Sequence, residues 1–309
     1  MFPGMGSDLS KRVSFRADYK YAVYKWSGCK FSPSPKGEGL FPYFRREDGT
    51  SICEKAGIAA GKLSDIAAVE TLFWEGDKWM EIALHYEKKG SGEPFLLLHG
   101  NGEDSSYFKN QIEYFSSKYC VIALDTRGHG ASPRGSKPFT IEQFACDLYD
   151  FMLESGLSNA IILGFSDGAN IAMKFAMKHP DMVKALILNG GNLNAKGVKG
   201  TMQIPIEIGY RIARLCSAKS ARAERNAEML GLMVNDPDIT PEELAKITAP
   251  TLVICGTKDM IKESHTKEIA ENISNAKLVM IEGDHFIANK RYEKFNHEVD
   301  DFLKKICKN

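Results

Sequence analysis

From about Met80 onward the chain repeats one arrangement: a short apolar run, a turn rich in Gly, Asp or Asn, then a stretch with apolar residues at helical spacing. Residues 95–98, 121–124, 160–163, 185–188, 252–255 and 278–281 are the runs. Uninterrupted apolar strands need cover on both faces, which a parallel sheet flanked by helices supplies and a half-solvated antiparallel sheet does not. Between the runs, Ile141, Phe144, Leu148, Phe151 and Met152 recur at helical spacing, as do Ala169, Ala172, Met173 and Ala176. The small residues of the second set predict a helix lying close to the sheet. The expected fold is therefore α/β, with a mostly parallel, doubly wound sheet.

The alternation breaks near Gly191, and about fifty residues pass before the next strand run begins at Thr251. A connection of that length in a compact domain carries function or structure of its own. Ile204, Ile206, Ile208, Ile212 and Leu215, followed by Met229, Leu230, Leu232 and Met233, predict short helices with an apolar side. Residues 191–240 are thus expected to form a helical lid inserted into a core made of residues 80–190 and 241–309. Arg211, Arg214, Arg222 and Arg225 on that stretch read as a solvated face. Residues 1–79 show no sustained period and no motif tied to chemistry. They are either a genuine extension or lie upstream of the natural start. Glu75-Gly76-Asp77 is encoded by purine-rich codons that can hold a ribosome-binding sequence just ahead of Met80, so translation is expected to begin at Met80 if the second reading holds. An intact mass that includes Met1 would exclude that reading.

Forty basic and forty acidic residues cancel, leaving no global field to recruit nucleic acid or an anionic membrane. The expected partner is a small, uncharged molecule; the sequence sets no oligomeric state. Seven scattered cysteines, with no CxxC and no Cys/His zinc spacing, read as reduced thiols. No segment resembles a signal peptide, and none approaches the ~18 apolar residues of a membrane helix, so the expected location is cytoplasmic.

Residues 160–168, AIILGFSDG, form an apolar strand that runs into G-x-S-x-G and then into the helical stretch. A bare G-x-S-x-G arises by chance in roughly one chain in ten at average glycine usage. The strand–turn–helix context gives it weight, because a serine on that turn projects its hydroxyl outward while the helix N-terminus sits under developing negative charge. A second run, residues 95–102 with sequence FLLLHGNG, ends a strand in a glycine-rich turn, and residues 125–132, DTRGHGAS, follow the next strand. With these three segments the chain resembles the serine-nucleophile α/β-hydrolase family, in esterase-like members with a short helical lid. The resemblance spans about residues 80–308. It implies an oxyanion hole made by the backbone N–H groups of Asn101 and Asp167, a structural role for His99 at the strand end, and a structural hydrogen-bonded turn around Asp125 and His129.

Ser166 as nucleophile needs a base and a carboxylate that holds the base in one tautomer. In this fold they follow the serine in the order acid, then histidine. Residues 251–259, TLVICGTKD, deliver Asp259 just beyond a strand, and residues 278–286, LVMIEGDHF, deliver His285 beyond the next. His85, His179, His265 and His297 lack such a context and read as ordinary surface or core residues. The implied chemistry is acyl transfer: Ser166 attacks, His285 takes and returns the proton, Asp259 steadies the imidazolium, and water releases the acyl group, with no cofactor and no metal. An ester of a small, uncharged substrate is the expected target. Carbon–carbon bond or amide and aminoacyl hydrolysis on the same triad, and a ligand-binding or signalling protein on the same fold, stay open; serine at the nucleophile position argues against epoxide hydrolase and dehalogenase chemistry. Asp167, directly after the nucleophile, is expected to point outward and gain from the helix dipole. Facing inward, it would disfavour anionic substrates.

Overall fold

The computed structural model describes residues 81–306 and the strand residues Phe31–Ser32 (β1) and Tyr43–Phe44 (β2). By contacts the chain divides into two units, Met1–Trp79 and Met80–Asn309. In the first, β1 and β2 pair antiparallel. The expectation of a translation start at Met80 lies outside the described residues.

In the second unit a seven-stranded sheet is built from β3 (Tyr86–Lys89), β4 (Pro94–Leu98), β5 (Cys120–Leu124), β6 (Ala160–Phe165), β7 (Val183–Asn189), β8 (Thr251–Gly256) and β9 (Ala276–Ile281), in the order β3-β5-β4-β6-β7-β8-β9. Only β3 runs antiparallel. All six predicted runs are strands. The exception to prediction is β3, four exposed residues of sequence YEKK that carry no apolar signal, because an edge strand paired on one side has little surface to bury. At the other edge β9 is only partly covered, which corrects the expectation that every run is fully buried.

Successive residues of a strand point to opposite faces, and the core follows that rule. Leu96 and Leu98 of β4 pack on one face with Ile162, Leu186 and Leu188, whereas Phe95 and Leu97 pack on the other with Ile161, Leu163 and Ile187. The first face is covered by α2 (Ile141–Glu154), α3 (Asp167–Lys178) and, through Ile269, α6 (Glu263–Asn272). The second is covered by α1 (Lys109–Phe115), by α7 (Ile287–Lys290) and by α8 (Tyr292–Ile306), whose Phe295, Val299 and Leu303 face the sheet. Burial of two apolar layers is why both faces of each central strand had to be apolar in sequence. α2 starts where Thr140 Oγ1 accepts from the Gln143 N–H at 3.2 Å, satisfying one free amide of its first turn.

Between β7 and β8 the structure inserts α4 (Gly200–Cys216) and α5 (Ala221–Asn235), two full helices of 17 and 15 residues rather than short ones. They pack through small residues: Gly209 of α4 lies under Leu230 of α5, and Gly231 under Tyr210. That choice leaves Ile204, Ile208, Ile212 and Leu215 in solvent, contrary to the apolar packing side that the sequence predicts for them. Arg211, Arg214, Arg222 and Arg225 are exposed as expected. Among the described residues no helix is long and apolar enough to cross a membrane.

Candidate active site

The chain visits β4 and β5 on one side of the sheet and then crosses to β6 on the other side of β4. The carboxyl ends of β4 and β6 therefore diverge, leaving a crevice at the switch point, which is where ligands bind in open α/β sheets. Four segments emerge there: the turn at Asn101 after β4, Ser166 after β6, Asp259 beyond β8 and His285 beyond β9.

Ser166 sits at φ 53°, ψ −118°, a conformation that a side chain rarely adopts. The turn is held by the Ser166 N–H donating to Asn189 O at 2.8 Å and by Ser166 O accepting from the Ala169 N–H at 2.9 Å. Its two glycines are required by close approach rather than by φ. A Cβ on Gly168 would overlap the carbonyl oxygens of Leu98 and His99, and one on Gly164 would overlap Gly168 O. The helix thus starts against the end of β4, which brings Ser166 beside the Asn101 turn.

The three side chains singled out in sequence come together. His285 Nε2 lies 3.0 Å from Ser166 Oγ, and His285 Nδ1 lies 2.7 Å from Asp259 Oδ1. Asp259 Oδ1 also accepts from the Ile261 N–H at 2.9 Å, so the carboxylate is fixed from its own loop. Asp259 and His285 are both buried. Phe165 tilts against the imidazole at 4.9 Å between ring centroids and is itself stacked on Tyr107 at 4.5 Å, a wall that limits water on that side. An acceptor carboxylate at Nδ1 leaves the unprotonated Nε2 facing the serine hydroxyl, the tautomer that a base for Ser166 requires.

The neighbouring turns are structural, as expected. His99 Nδ1–H donates to Gly100 O at 2.7 Å and Nε2 accepts from the Thr126 N–H at 3.0 Å, an arrangement that uses the neutral ring. Burial holds its pKa down at about 4. Burial works to raise Asp125, but the amides of Ala131 and Ser105 and the His85 ring hold its carboxyl below the usual range. The remaining histidines take ordinary places; His265 Nε2 accepts from the Leu193 N–H and His179 stacks on Tyr149.

Asp167 departs from expectation. Its side chain is 7% exposed and lines one cavity with Ser166, instead of pointing to solvent. Met233 at the end of α5 and Asp236 just beyond it line the same cavity beside the first turn of α3. Burial, followed by the nearby Asp236, raises its pKa to about 6 against the partial relief given by Asn101 and Asn170.

Glu103 escaped the sequence reading, since an acid after a glycine turn carries no local signature. Its Oε2 accepts from the Gly100 N–H at 3.2 Å, and burial raises its pKa to about 7. A carboxyl whose folded pKa lies above its unfolded value contributes stability at acid pH and loses it as pH rises through the folded value. Glu103→Gln is therefore expected to raise Tm by a few degrees at pH 8 and to leave it unchanged near pH 4. A thermal-melt pH series that shows the same offset at both ends would refute this.

Residues 93–207 match the family described as alpha/beta hydrolase fold. With the sheet order and the switch-point crevice, this match shows the α/β-hydrolase fold, and hydrolases of that fold are among the proteins the chain resembles. Its relatives include the putative non-heme chloroperoxidase of Synechocystis sp., 27% identical over 65% of this chain and 87% of that protein. The 3-oxoadipate enol-lactonase 2 of Acinetobacter baylyi is 25% identical over 73% of this chain and 95% of that one. Among solved structures, the enol-lactonase of Burkholderia xenovorans superposes with a TM-score of 0.59 at 24% identity, covering 72% of this chain and 97% of that one, a likeness of fold.

Proposed function

We propose that the chain is a serine hydrolase that cleaves an ester or similar acyl bond of a small molecule, with Ser166 as nucleophile, His285 as base and Asp259 as the group orienting it. The observation that carries this reading is the continuous chain from Ser166 Oγ to His285 Nε2 at 3.0 Å and from His285 Nδ1 to Asp259 Oδ1 at 2.7 Å. Attack by Ser166 Oγ on the acyl carbon passes its proton to His285 Nε2. Negative charge gathers on the carbonyl oxygen, for which the backbone N–H groups of Asn101 and Asp167 are the proposed donors. The His285 proton then goes to the leaving oxygen, the acyl–oxygen bond breaks, and water activated by the same imidazole releases the acid. The relative in Acinetobacter is named for an enol-lactone, a cyclic ester, which supports acyl chemistry at this site.

Helices α4 and α5 serve as the lid in this reading. The Asn101 side-chain amide donates to Met229 O of α5 at 2.7 Å, and Arg134 pairs with Glu228 of the same helix. Those links set α5 over the proposed oxyanion turn, and Met233 forms part of the cavity wall. The combined test is labelling by a fluorophosphonate and turnover of p-nitrophenyl esters from acetate to palmitate. Labelling mapped to Ser166, with turnover that peaks at one chain length, is the expected result. Failure of Ser166 to label would refute it, and labelling without turnover would favour a binding protein on this fold.

A further inference from the structure

The cavity beside Ser166 narrows the substrate class, an inference that rests on the serine hydrolase reading. Its lining combines Met233, Met260 and other apolar groups with Asn192 and two carboxyls, Asp167 and Asp236. Among the described residues no lysine or arginine lines it. Asp167 is more than nine-tenths buried; its Oδ1 accepts a long bond of 3.4 Å from the Asn170 amide, while Oδ2 is buried with no hydrogen-bond partner among the described residues. Asp236 has one oxygen on the Ile141 N–H at 3.3 Å.

The charged groups around the two acids do not satisfy them. Asp167 feels Asp236, which repels it, and His285, whose ring is committed to Ser166 and Asp259. Asp236 feels Lys174, Asp238 and Glu142, but the Lys174 ammonium is spent on Asp238 O. Burial raises both carboxyls, helped at Asp167 by Asp236 and at Asp236 by Asp238 and Glu142. A buried acid with an unpaired oxygen, as Asp167 is, is costly unless a positive or donating group completes it. An unpartnered buried carboxylate oxygen beside Ser166, with methionines close by, is complemented by a cationic nitrogen.

We propose that Asp167 and Asp236 form the acceptor for a cationic nitrogen of the substrate, so that the enzyme hydrolyses esters carrying a protonated amine close to the scissile carbonyl, an aminoacyl ester being the simplest case. Proximity follows from sequence: Asp167 is the residue after the nucleophile, with Cα atoms about 3.8 Å apart, so the ammonium must lie within a few bonds of the carbon that Ser166 attacks. Carboxylates placed there repel anionic acyl groups by the same field, which sets discrimination by charge rather than by volume alone.

The test compares kcat/KM at pH 7 for L-alanine benzyl ester and benzyl L-lactate, which carries a hydroxyl where the first carries ammonium. The intact chain is expected to prefer the cationic ester by at least about tenfold, equivalent to ~1.4 kcal/mol. Asp167→Asn should bring the ratio near one, and Asp236→Asn should lower it several-fold. A ratio cancels any change in the acyl-transfer machinery common to both esters, which matters because the Asp167 backbone is placed in that machinery. A wild-type ratio at or below one, or a ratio that survives either substitution, overturns the paired acceptor while the hydrolase reading stands on turnover of the lactate ester. Turnover of neither ester with Ser166 unlabelled refutes both readings together.

Discussion

Replacing Ser166 by alanine is expected to lower kcat by about 10⁴- to 10⁶-fold, and replacing His285 by alanine to cost nearly as much, with the double variant little worse than either single one. Both halves of the proton path are needed at once. Without the hydroxyl there is no acyl-enzyme, and without Nε2 at 3.0 Å the hydroxyl keeps its proton and is a weak nucleophile. What survives in the variants is binding and stabilisation of the oxyanion, worth about 10² to 10³ for a single donor in enzymes of this kind. The measurement is single-turnover kinetics on the best ester of the p-nitrophenyl series for wild type, Ser166→Ala, His285→Ala and the double variant. Additive losses would mean that the two residues act separately and would sink the triad. Asp259→Asn should also be strongly impaired, because an amide that presents N–H₂ to Nδ1 favours the wrong tautomer.

The largest expected effect on stability lies away from the site, at Arg127. Its guanidinium is fully buried and held bidentate by Asp147, with Nε to Oδ2 and Nη2 to Oδ1 both at 2.7 Å. Nη1 reaches Glu81 at 2.8 Å and Arg134 O at 3.0 Å. This pair ties the turn after β5 to α2, and Gln143 adds a third donor to Asp147 at 2.9 Å. Asp147→Ala leaves a buried cation without its main partner, for which the expected loss is about 3–5 kcal/mol. Set against a total of about 5–15 kcal/mol, that loss removes much of the margin. Urea unfolding should show it as a midpoint lowered by about 1–3 M. The replacement of both partners by apolar groups, Arg127→Met with Asp147→Leu, should recover most of the loss, because the cost of desolvating two charges disappears with them. A destabilisation by Asp147→Ala of less than about 1 kcal/mol would show that Glu81 alone satisfies the guanidinium.

Most of the core sheet and the three proposed catalytic side chains are legible in the sequence alone. β4 to β9 stand out because a strand covered on both faces has no polar residue to interrupt it, and Ser166, Asp259 and His285 each follow such a strand at a turn. β3 is not legible, since its YEKK sequence offers no apolar run and all four residues are exposed. The insertion is legible as helical but not in its length or its packing. Periodicity marks an apolar face without saying whether a neighbour covers it, and here glycines make the helix contact while isoleucines stay outside.

The sequence by itself determined what depends on near neighbours: the strand runs, the sharp turn at Ser166 with its glycines, and the order of Ser166, Asp259 and His285, each just beyond a strand. Only the tertiary structure decided where long-range partners meet. The direction of Asp167 depends on the residues that α5 and its following loop bring to the same cavity, and its meeting with Asp236 joins the first turn of α3 to the far end of the insertion. The raised pKa of Glu103 and the burial of Arg127 against Asp147 likewise come from desolvation by segments remote in the chain. Desolvation and charge pairing act through space, and a local pattern of residue types does not record which distant segment removes the water.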